Sequence, residues 1–497
     1  MTLNARDQSK WPYVTAKELS GALQARKVSA LEIVEHTIAR IEALDGRLNS
    51  VVVHDFERAR EAAAAADVAL GRGDRRPLLG VPMTFKEAFN IGGLPTTWGL
   101  AQSRDYVPRE DALVVSRLKG AGAIVVGKTN VPTGLADFQT YNDIYGTTSN
   151  PWDTRRTPGG SSGGSAVALA AGFGPLSFGS DIGGSLRMPA HCCGVYAHKP
   201  SLGLVPMRGY SPPPPLPPLL DDADLAVIGP MARAAADLEL VLKAVAGPDE
   251  ARAGIAYNLA LPPPRHDDLR SFRILVIDTH PLLPTDGAVR GAISGLSERL
   301  AKTGAMVAHS SADLPNLAVS ARLYMRLLGS ARSAGLSPDR YAEAERTAAA
   351  LSHSDDGLYA ERARGAVMTH RDWLLADVTR SRLQQQWSRF FREWDIVLYP
   401  AAAVPAFPQD HSLPIDARHI EIDGKAYPYS DACYVWADPA TSCGLPATAA
   451  PIGRSPTGLP IGAQIIGPYL EDRTTIAFAE LLEREFGGFV APPGLDA

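Results

Sequence analysis

TPGGSSGGSAVALAAGFGPLSFGSDIGGS, residues 157 to 185, holds nine glycines and six serines in 29 positions. Composition alone would make it a flexible linker. AVALAAG and PLSFGS, however, lie inside it as a helix and a strand, which leaves the glycines at the turns between elements. The stretch is therefore structured. Two glycine-flanked serine loops, around Ser161 and Ser185, bracket a helix–strand unit.

The same alternation continues on both sides. Upstream, the short apolar segment Leu78 to Phe85 delivers Lys86 to the end of a strand. A helix over Asp111 to Lys119 then stops at Gly120 to Gly122 before the β-branched run AIVVG. Residues 15 to 70 predict helices: Thr15 caps AKELSGALQARK, Ser29 caps ALEIVEHTIARIEAL, and Asp55 opens an alanine-rich run. Downstream come FRILVID (Phe272 to Asp278), a helix from about Asp286 to Lys302, Ala305 to Ser310, and DIVLYP (Asp395 to Pro400). Residues 320 to 392 are helical and charged. Alternating helices and strands argue for α/β layering, and the lack of a clean linker favours a single sheet with an inserted or appended helical region. SPPPPLPP, Ser211 to Pro218, must be stiff and extended; it forms a rim or lid over a cleft, or a plain surface loop.

A chain of 497 residues, 45% apolar and 21% charged, has the composition of a soluble globular protein. Its length allows one large domain or two. A formal charge of −5 with interspersed signs offers no basic stripe for phosphate, which weighs against a nucleic-acid substrate and points to a small molecule. Met1 to Trp11 lacks the apolar core of a secretory signal. Ser165 to Gly179, broken by Gly172, Gly174 and Pro175, falls short of the roughly 20 residues that cross a bilayer. Four cysteines, two adjacent at Cys192 and Cys193, make neither a disulfide framework nor a CxxC metal pair, so a reducing cytoplasm fits. Eleven scattered histidines show no zinc spacing. No metal or cofactor is implied.

Amide hydrolysis needs a nucleophile, a base, an acid for the leaving nitrogen, and donors for the oxyanion. In SDIGGSLRMP, Gly183 and Gly184 allow a run of backbone N–H groups from Ile182 onward to face a substrate beside the Ser185 hydroxyl. In TPGGSSGGSA, Gly159 and Gly160 precede Ser161 just before a helix. Either loop alone equally suits a phosphate cradle or a plain turn, although neither ends in the GK[ST] of a P-loop. Lys86, in MTFKEAF, is by default a solvated surface group. If buried between Phe85 and Phe89, its pKa falls from about 10.4 toward the working pH. A drop of about three units corresponds to roughly 4 kcal/mol.

TPGGSSGGSAVALAAG followed by SFGSDIGGSLRMPA resembles the motif of the amidase signature family, whose two loop serines stand 24 residues apart, as Ser161 and Ser185 do. The likeness extends through GVPMTFKEAF, GKTNVPTGLADF, YGTTSNPWD, CGVYAHKPSLGLVP, IGPMARAAADL, CGLPATAAP and GLPIGAQIIG, nearly the whole chain. It implies one domain over 1–497 built on a large mixed, mostly parallel sheet with helices on both faces. An outer helical layer would occupy 1–75, the core with both loops 76–270, and a second α/β half 271–497, with its helical part at about 320–392. It also implies Lys86 as base, Ser161, after a cis peptide, as proton relay, and Ser185 as acylated nucleophile. The backbone of Ile182, Gly183 and Gly184 would form the oxyanion hole. Asp181 and Arg187 would brace that loop, and Gly134, Leu135, Ala136 and Asp137 would line the acyl side of the pocket. The small-molecule partner is then an amide, aryl acylanilide or carbamate of fairly apolar character, because Leu135, Ala136 and the proline-rich rim supply few charges. No nucleic acid or membrane is expected as partner; a homodimer is compatible.

Three other readings compete. Ser116-Arg-Leu-Lys119 with Lys302-Thr303-Gly304 imitates the penicillin-binding motifs, but Ser430-Asp431-Ala432, the nearest third element, falls in the wrong order. Gly160-Ser161-Ser162-Gly163-Gly164 satisfies the hydrolase elbow GxSxG, which would need a histidine. The amidase component of a tRNA-dependent amidotransferase complex resembles the same loops. His191, Cys192 and Cys443 read as packing residues.

Overall fold

The computed structural model describes residues 8–216 and 223–495. The first half contributes β1 (Val51–His54), β2 (Pro82–Lys86), β3 (Ile124–Thr129), the small hairpin β4 (Tyr141–Asn142) and β5 (Gly146–Thr147), β6 (Leu176–Asp181), β7 (Tyr196–Lys199) and β8 (Val227–Ala232). The second half adds β9 (Arg273–Val276), β10 (Met306–Ala308), β11 (Ile396–Pro400), the hairpin β12 (His419–Ile422) and β13 (Lys425–Pro428), β14 (Ala447–Arg454) and β15 (Pro460–Ile466). Eleven of these strands form one sheet in the order β1-β3-β2-β6-β8-β7-β14-β15-β11-β9-β10, so a single sheet runs through both halves.

The large mixed sheet is as expected, and its parallel pairs gather in two wings, β3–β2–β6 and β11–β9–β10. The ladders between the wings, and the β1 edge, are antiparallel. Part of the reason is local: β14 and β15 are joined by a tight turn closed by Gly458 N–H on Ser455 O at 2.9 Å, a connection open only to antiparallel strands. β2, β3, β6, β7, β8, β11 and β15 are buried along their whole length. Successive side chains point to opposite faces, so both faces of the sheet are covered.

The N-terminal helices start where their caps predict. Thr15 opens the helix Ala16–Gln24 with a capping box to Glu18, and Ser29 opens Ala30–Leu44 with one to Glu32. Asp55 precedes the helix Phe56–Gly71 without capping it; its carboxylate accepts from Arg58 Nε at 2.7 Å. The expected all-helical layer needs one correction. Val51–His54 is the edge strand β1: the run of three valines favours an extended chain, and Val51, Val53 and His54 pair with β3 across a bulge at Val52.

The glycine-rich stretch folds as its embedded pattern implies, with a wholly buried helix Gly163–Ala170 leading into β6. The region near 320–392 is helical, as Leu317–Ser333, Pro338–Ala350, Leu358–Ala366 and His370–Glu393. The proline run is not extended throughout: Leu216 N–H donates to Pro213 O at 3.2 Å, turning the chain. Its Pro217 and Pro218 lie outside the described residues. No helix among the described residues is long and apolar enough to cross a membrane.

Gly122, the expected stop after the helix Leu113–Gly120, has φ +98°, and a Cβ there would lie 2.5 Å from Leu79 Cα. Gly122→Ala is therefore expected to cost roughly 1–3 kcal/mol, read as a lowered denaturant midpoint.

Candidate active site

β2 and β6 are parallel neighbours, so their C-terminal ends lie on the same edge of the sheet. That edge receives Lys86, the last residue of β2, and Ser180 and Asp181, the last of β6. The chain then turns through Ile182–Ser185 into the helix Arg187–Cys193. The loop around Ser161 reaches the same place from the N-terminal side of the helix Gly163–Ala170. Its Gly160–Ser161 peptide is cis. At Gly160 a Cβ would lie 2.4 Å from Asp137 O, so only glycine lets this loop press against the 137–138 backbone.

Lys86 is fully buried. Its Nζ donates to Ser161 Oγ at 2.6 Å and to Ser180 Oγ at 2.8 Å. Burial brings its pKa down to about 7, opposed by the Asp181 carboxylate. Two other buried lysines are depressed by the same cause: Lys128 to about 8 against Glu87, and Lys199 to about 7 with help from Arg187. Their partners differ. Lys128 donates to Pro95 O and Thr96 Oγ1, and Lys199 to the carbonyls of Pro200 and Leu445. Lys86 alone of the three faces serine hydroxyls.

Ser185 is 6% exposed, and its hydroxyl makes no hydrogen bond to a described residue. Ser162 N–H donates to Ser185 O at 3.2 Å, which ties the two serine loops together. The turn before Ser185 holds a correction to the expected oxyanion donors. Gly184 N–H is engaged by Asp181 Oδ1 at 2.8 Å, whereas the amides of Ile182, Gly183 and Ser185 have no partner among the described residues. Gly183 has no room for a side chain, since a Cβ would lie 2.7 Å from the Tyr434 ring. Tyr324, from the 317–333 helix, donates to Ile182 O at 2.9 Å. C=O and N–H of one trans peptide point oppositely, so this bond turns the Gly183 amide away from Tyr324.

Asp181 and Arg187 form a fully buried ion pair at 2.9 Å. Arg187 also donates to Ala437 O, Gln464 Oε1 and Thr441 Oγ1. Burial alone would raise the Asp181 carboxyl; Arg187, Lys199 and the Gly184 amide outweigh it and hold the group at about 2.

Gly134, Leu135 and Ala136 are partly exposed, with Gly134 and Leu135 in the left-handed region at φ 61° and 57°. Asp137 is not the free pocket carboxylate its sequence position suggested. It is buried and neutralised by Arg418 at 2.7 Å, and it accepts from Tyr429 Oη at 2.6 Å and Tyr141 Oη at 3.2 Å. Arg418 and Tyr429 flank the β12–β13 hairpin, some 280 residues away in the chain.

Sequence reading missed Ser180, Tyr210, Tyr324 and Tyr434. Ser180 opens the SDIGGSLRMP loop and shares the strand end with Asp181, a signal that was available. The tyrosines come from distant segments with no local pattern. The rival motifs dissolve in three dimensions. Lys119 pairs with Asp111 at the surface, and Gly304 is the left-handed cap ending the helix Gly287–Thr303. Among the described residues, Ser162 Oγ bonds only the backbone of Ser180. His191 bonds Gly462 and Val404 O, and His198 bonds Asp472 and Thr448, so neither faces Ser161, Ser162 or Ser185. Burial pushes Cys192 and Cys443 up to about 12, which leaves them inert as nucleophiles at neutral pH. A cavity of about 960 Å³ beside Leu202, Phe391, Cys443 and Tyr469 contains none of the site residues.

A lysine with a pKa near neutrality, a serine hydroxyl in its reach, a second serine on a neighbouring loop and three unfilled amides make up a hydrolytic constellation on an α/β sheet. The sequence profile of the Amidase family matches residues 32–476, and the chain belongs to that family. It is 32% identical to a glutamyl-tRNA(Gln) amidotransferase subunit from Anaeromyxobacter sp. (strain K), over 96% of this chain and 97% of that one. It is 30% identical to fatty-acid amide hydrolase 2-A of Danio rerio, over 96% and 90%. A solved chain from an inhibitor-bound vestigial complex, bearing on the origins of an s-triazine catabolic enzyme, superposes with a TM-score of 0.78 at 29% identity, over 95% of this chain and 98% of that one. A bacterial aryl acylamidase of the amidase signature family shares the fold, with a TM-score of 0.76 at 23% identity over 96% of each chain. The protein is thus a hydrolase of the amidase signature type, acting on C–N bonds.

Asp181→Asn would strand the buried Arg187 guanidinium and is expected to destabilise by about 3–5 kcal/mol in denaturant unfolding. The stability that the Asp181 carboxylate contributes is present above its ordinary value of 3.8 and is lost as pH falls through about 2. The difference between the two proteins should therefore persist down to strongly acidic pH.

Proposed function

We propose that the protein cleaves the C–N bond of a small, fairly apolar amide, aryl acylanilide or carbamate through an acyl-enzyme on Ser185. The observation that carries this reading is the buried Lys86–Ser161 contact at 2.6 Å, with the lysine brought to about 7. Neutral Lys86 accepts a proton from Ser161, which takes one from Ser185 as Ser185 Oγ attacks the substrate carbonyl carbon. The amides of Ile182, Gly183 and Ser185 receive the oxyanion, and the Asp181–Arg187 pair braces their turn. The relay returns a proton to the departing nitrogen. Water then enters and releases the acid product by the same steps.

An apolar acyl group is favoured by a pocket side of Gly134, Leu135 and Ala136, by the neutralisation of Asp137, and by the Tyr434 and Phe138 rings, packed edge to face at 4.8 Å. The fatty-acid amide hydrolase relative supports the same preference. A second reading, the amidase component of a tRNA-dependent amidotransferase, is supported by the 32% identity to such a protein. It requires glutaminase activity and copurifying partner chains.

Lys86→Ala is expected to lower kcat/KM roughly a hundred- to ten-thousand-fold. The wild-type rate should rise with pH through about 7 as Lys86 loses its proton; a flat profile would contradict the mechanism. Ser185→Ala should abolish labelling by a serine-reactive phosphonate. A panel of nitroanilides, short amides and aryl carbamates should be turned over faster than dicarboxylic amides or glutamine, and the reverse order would refute the substrate class.

A further inference from the structure

We propose that Tyr210 is a positioning residue for Lys86, acting through Ser180; the inference rests on the reading of Lys86 as base. Tyr210 Oη donates to Ser180 Oγ at 2.7 Å, and Ser180 Oγ accepts from Lys86 Nζ at 2.8 Å. The problem this contact solves is one of proton direction. A neutral amine carries two N–H groups and one lone pair, and Lys86 has two hydroxyl neighbours at nearly equal distance, Ser161 at 2.6 Å and Ser180 at 2.8 Å. Were Ser180 to turn its O–H onto the lone pair, the base would be occupied by a hydroxyl that leads to no nucleophile.

A serine oxygen has two lone pairs. With the phenol donating into one and a Lys86 N–H into the other, Ser180 is an acceptor toward both neighbours. The lysine lone pair is left for Ser161.

Tyr210 is built to stay a donor. Its ring is buried against Phe89 and Trp98, with centroids 5.1 and 5.3 Å away. Burial holds its phenol well above the ordinary value, so it keeps its proton across the neutral and moderately alkaline range. The backbone beside it is pinned on both sides: Asn90 N–H donates to Gly209 O at 3.1 Å, and Ser103 Oγ donates to Pro214 O at 2.6 Å. The start of the proline-rich segment thereby gains a task, holding Tyr210 at the end of a chain Tyr210–Ser180–Lys86–Ser161.

Tyr210→Phe keeps the ring and removes only the hydroxyl. Rates per active site, counted by titration with a serine-reactive phosphonate so that unfolded protein is excluded, are compared across pH on a nitroanilide or aryl ester that the wild type turns over. Loss of one hydrogen bond is expected to lower kcat roughly tenfold with KM within about twofold. Ser180, relieved of the phenol, is free to turn its O–H onto the Lys86 lone pair, which favours the neutral amine, so the acid limb of kcat/KM should move to lower pH by about half a unit to one unit. On a Ser180→Ala background the Tyr210→Phe change should have no further effect, because Tyr210 then has nothing to act on. An unshifted acid limb with wild-type kcat, or an equal loss on the Ser180→Ala background, overturns the proposal. Lys86→Ala in the same series separates the two levels. If it stays active, the base assignment fails and this inference with it; if it is inactive while Tyr210→Phe behaves as wild type, only the role of Tyr210 fails.

Discussion

Burying the Lys86 amine against two hydroxyls, with no carboxylate in contact, is the constraint on which the rest of the site depends. An ammonium in that position is poorly solvated, and the pKa of about 7 expresses the cost of keeping it charged. A carboxylate in direct contact would remove that cost and, with it, the readiness of the group to accept a proton. The sheet edge therefore has to bring a charged network close without letting it touch the lysine. Asp181 is the residue after Ser180, yet its oxygens go to Arg187 and to the amides of Gly184 and Leu186. Its charge reaches Lys86 only through space.

The same economy explains why three buried lysines with similar burial have different prospects. Lys128 and Lys199 hold carbonyls or a threonine and so fasten loops to strand ends. Their pKa values are depressed chiefly by burial, with Arg187 adding to it at Lys199, and neither nitrogen faces a serine hydroxyl. Lys86 differs only in what its nitrogen faces, which is decided by the parallel pairing of β2 with β6 and by a glycine at 160 that lets the serine loop come close. A perturbed pKa locates candidates; the partner atom selects among them.

The helical region outside the signature loops also enters the site. Tyr324 fixes a carbonyl of the Ser185 turn, and Tyr434, whose hydroxyl accepts from Arg332 at 2.6 Å, lays its ring on Gly183. These contacts tie the Ser185 turn to segments far from it in the chain.

Much of this was legible from residues in order. The helix and strand inside the glycine-rich stretch, the Thr15 and Ser29 caps, and the strand ending at Lys86 are local patterns, set by neighbours a few residues apart. The likeness to a known family pointed to Lys86, Ser161 and Ser185 as a set. Other elements were not legible. β1 hid in a run taken as helical, and β14, ATAAPIGR, is too poor in β-branched residues to announce a strand; it forms because β7 and β15 pair with it on either side. The sequence by itself thus determined the class of fold and the chemistry-bearing loops. Tertiary structure alone decided that Gly184's amide belongs to Asp181, that Asp137 is neutralised by Arg418, and that Ser180 and Tyr210 stand behind Lys86. The physical reason is that hydrogen bonds and ion pairs between distant segments depend on which strand ends share an edge, and no local pattern records that.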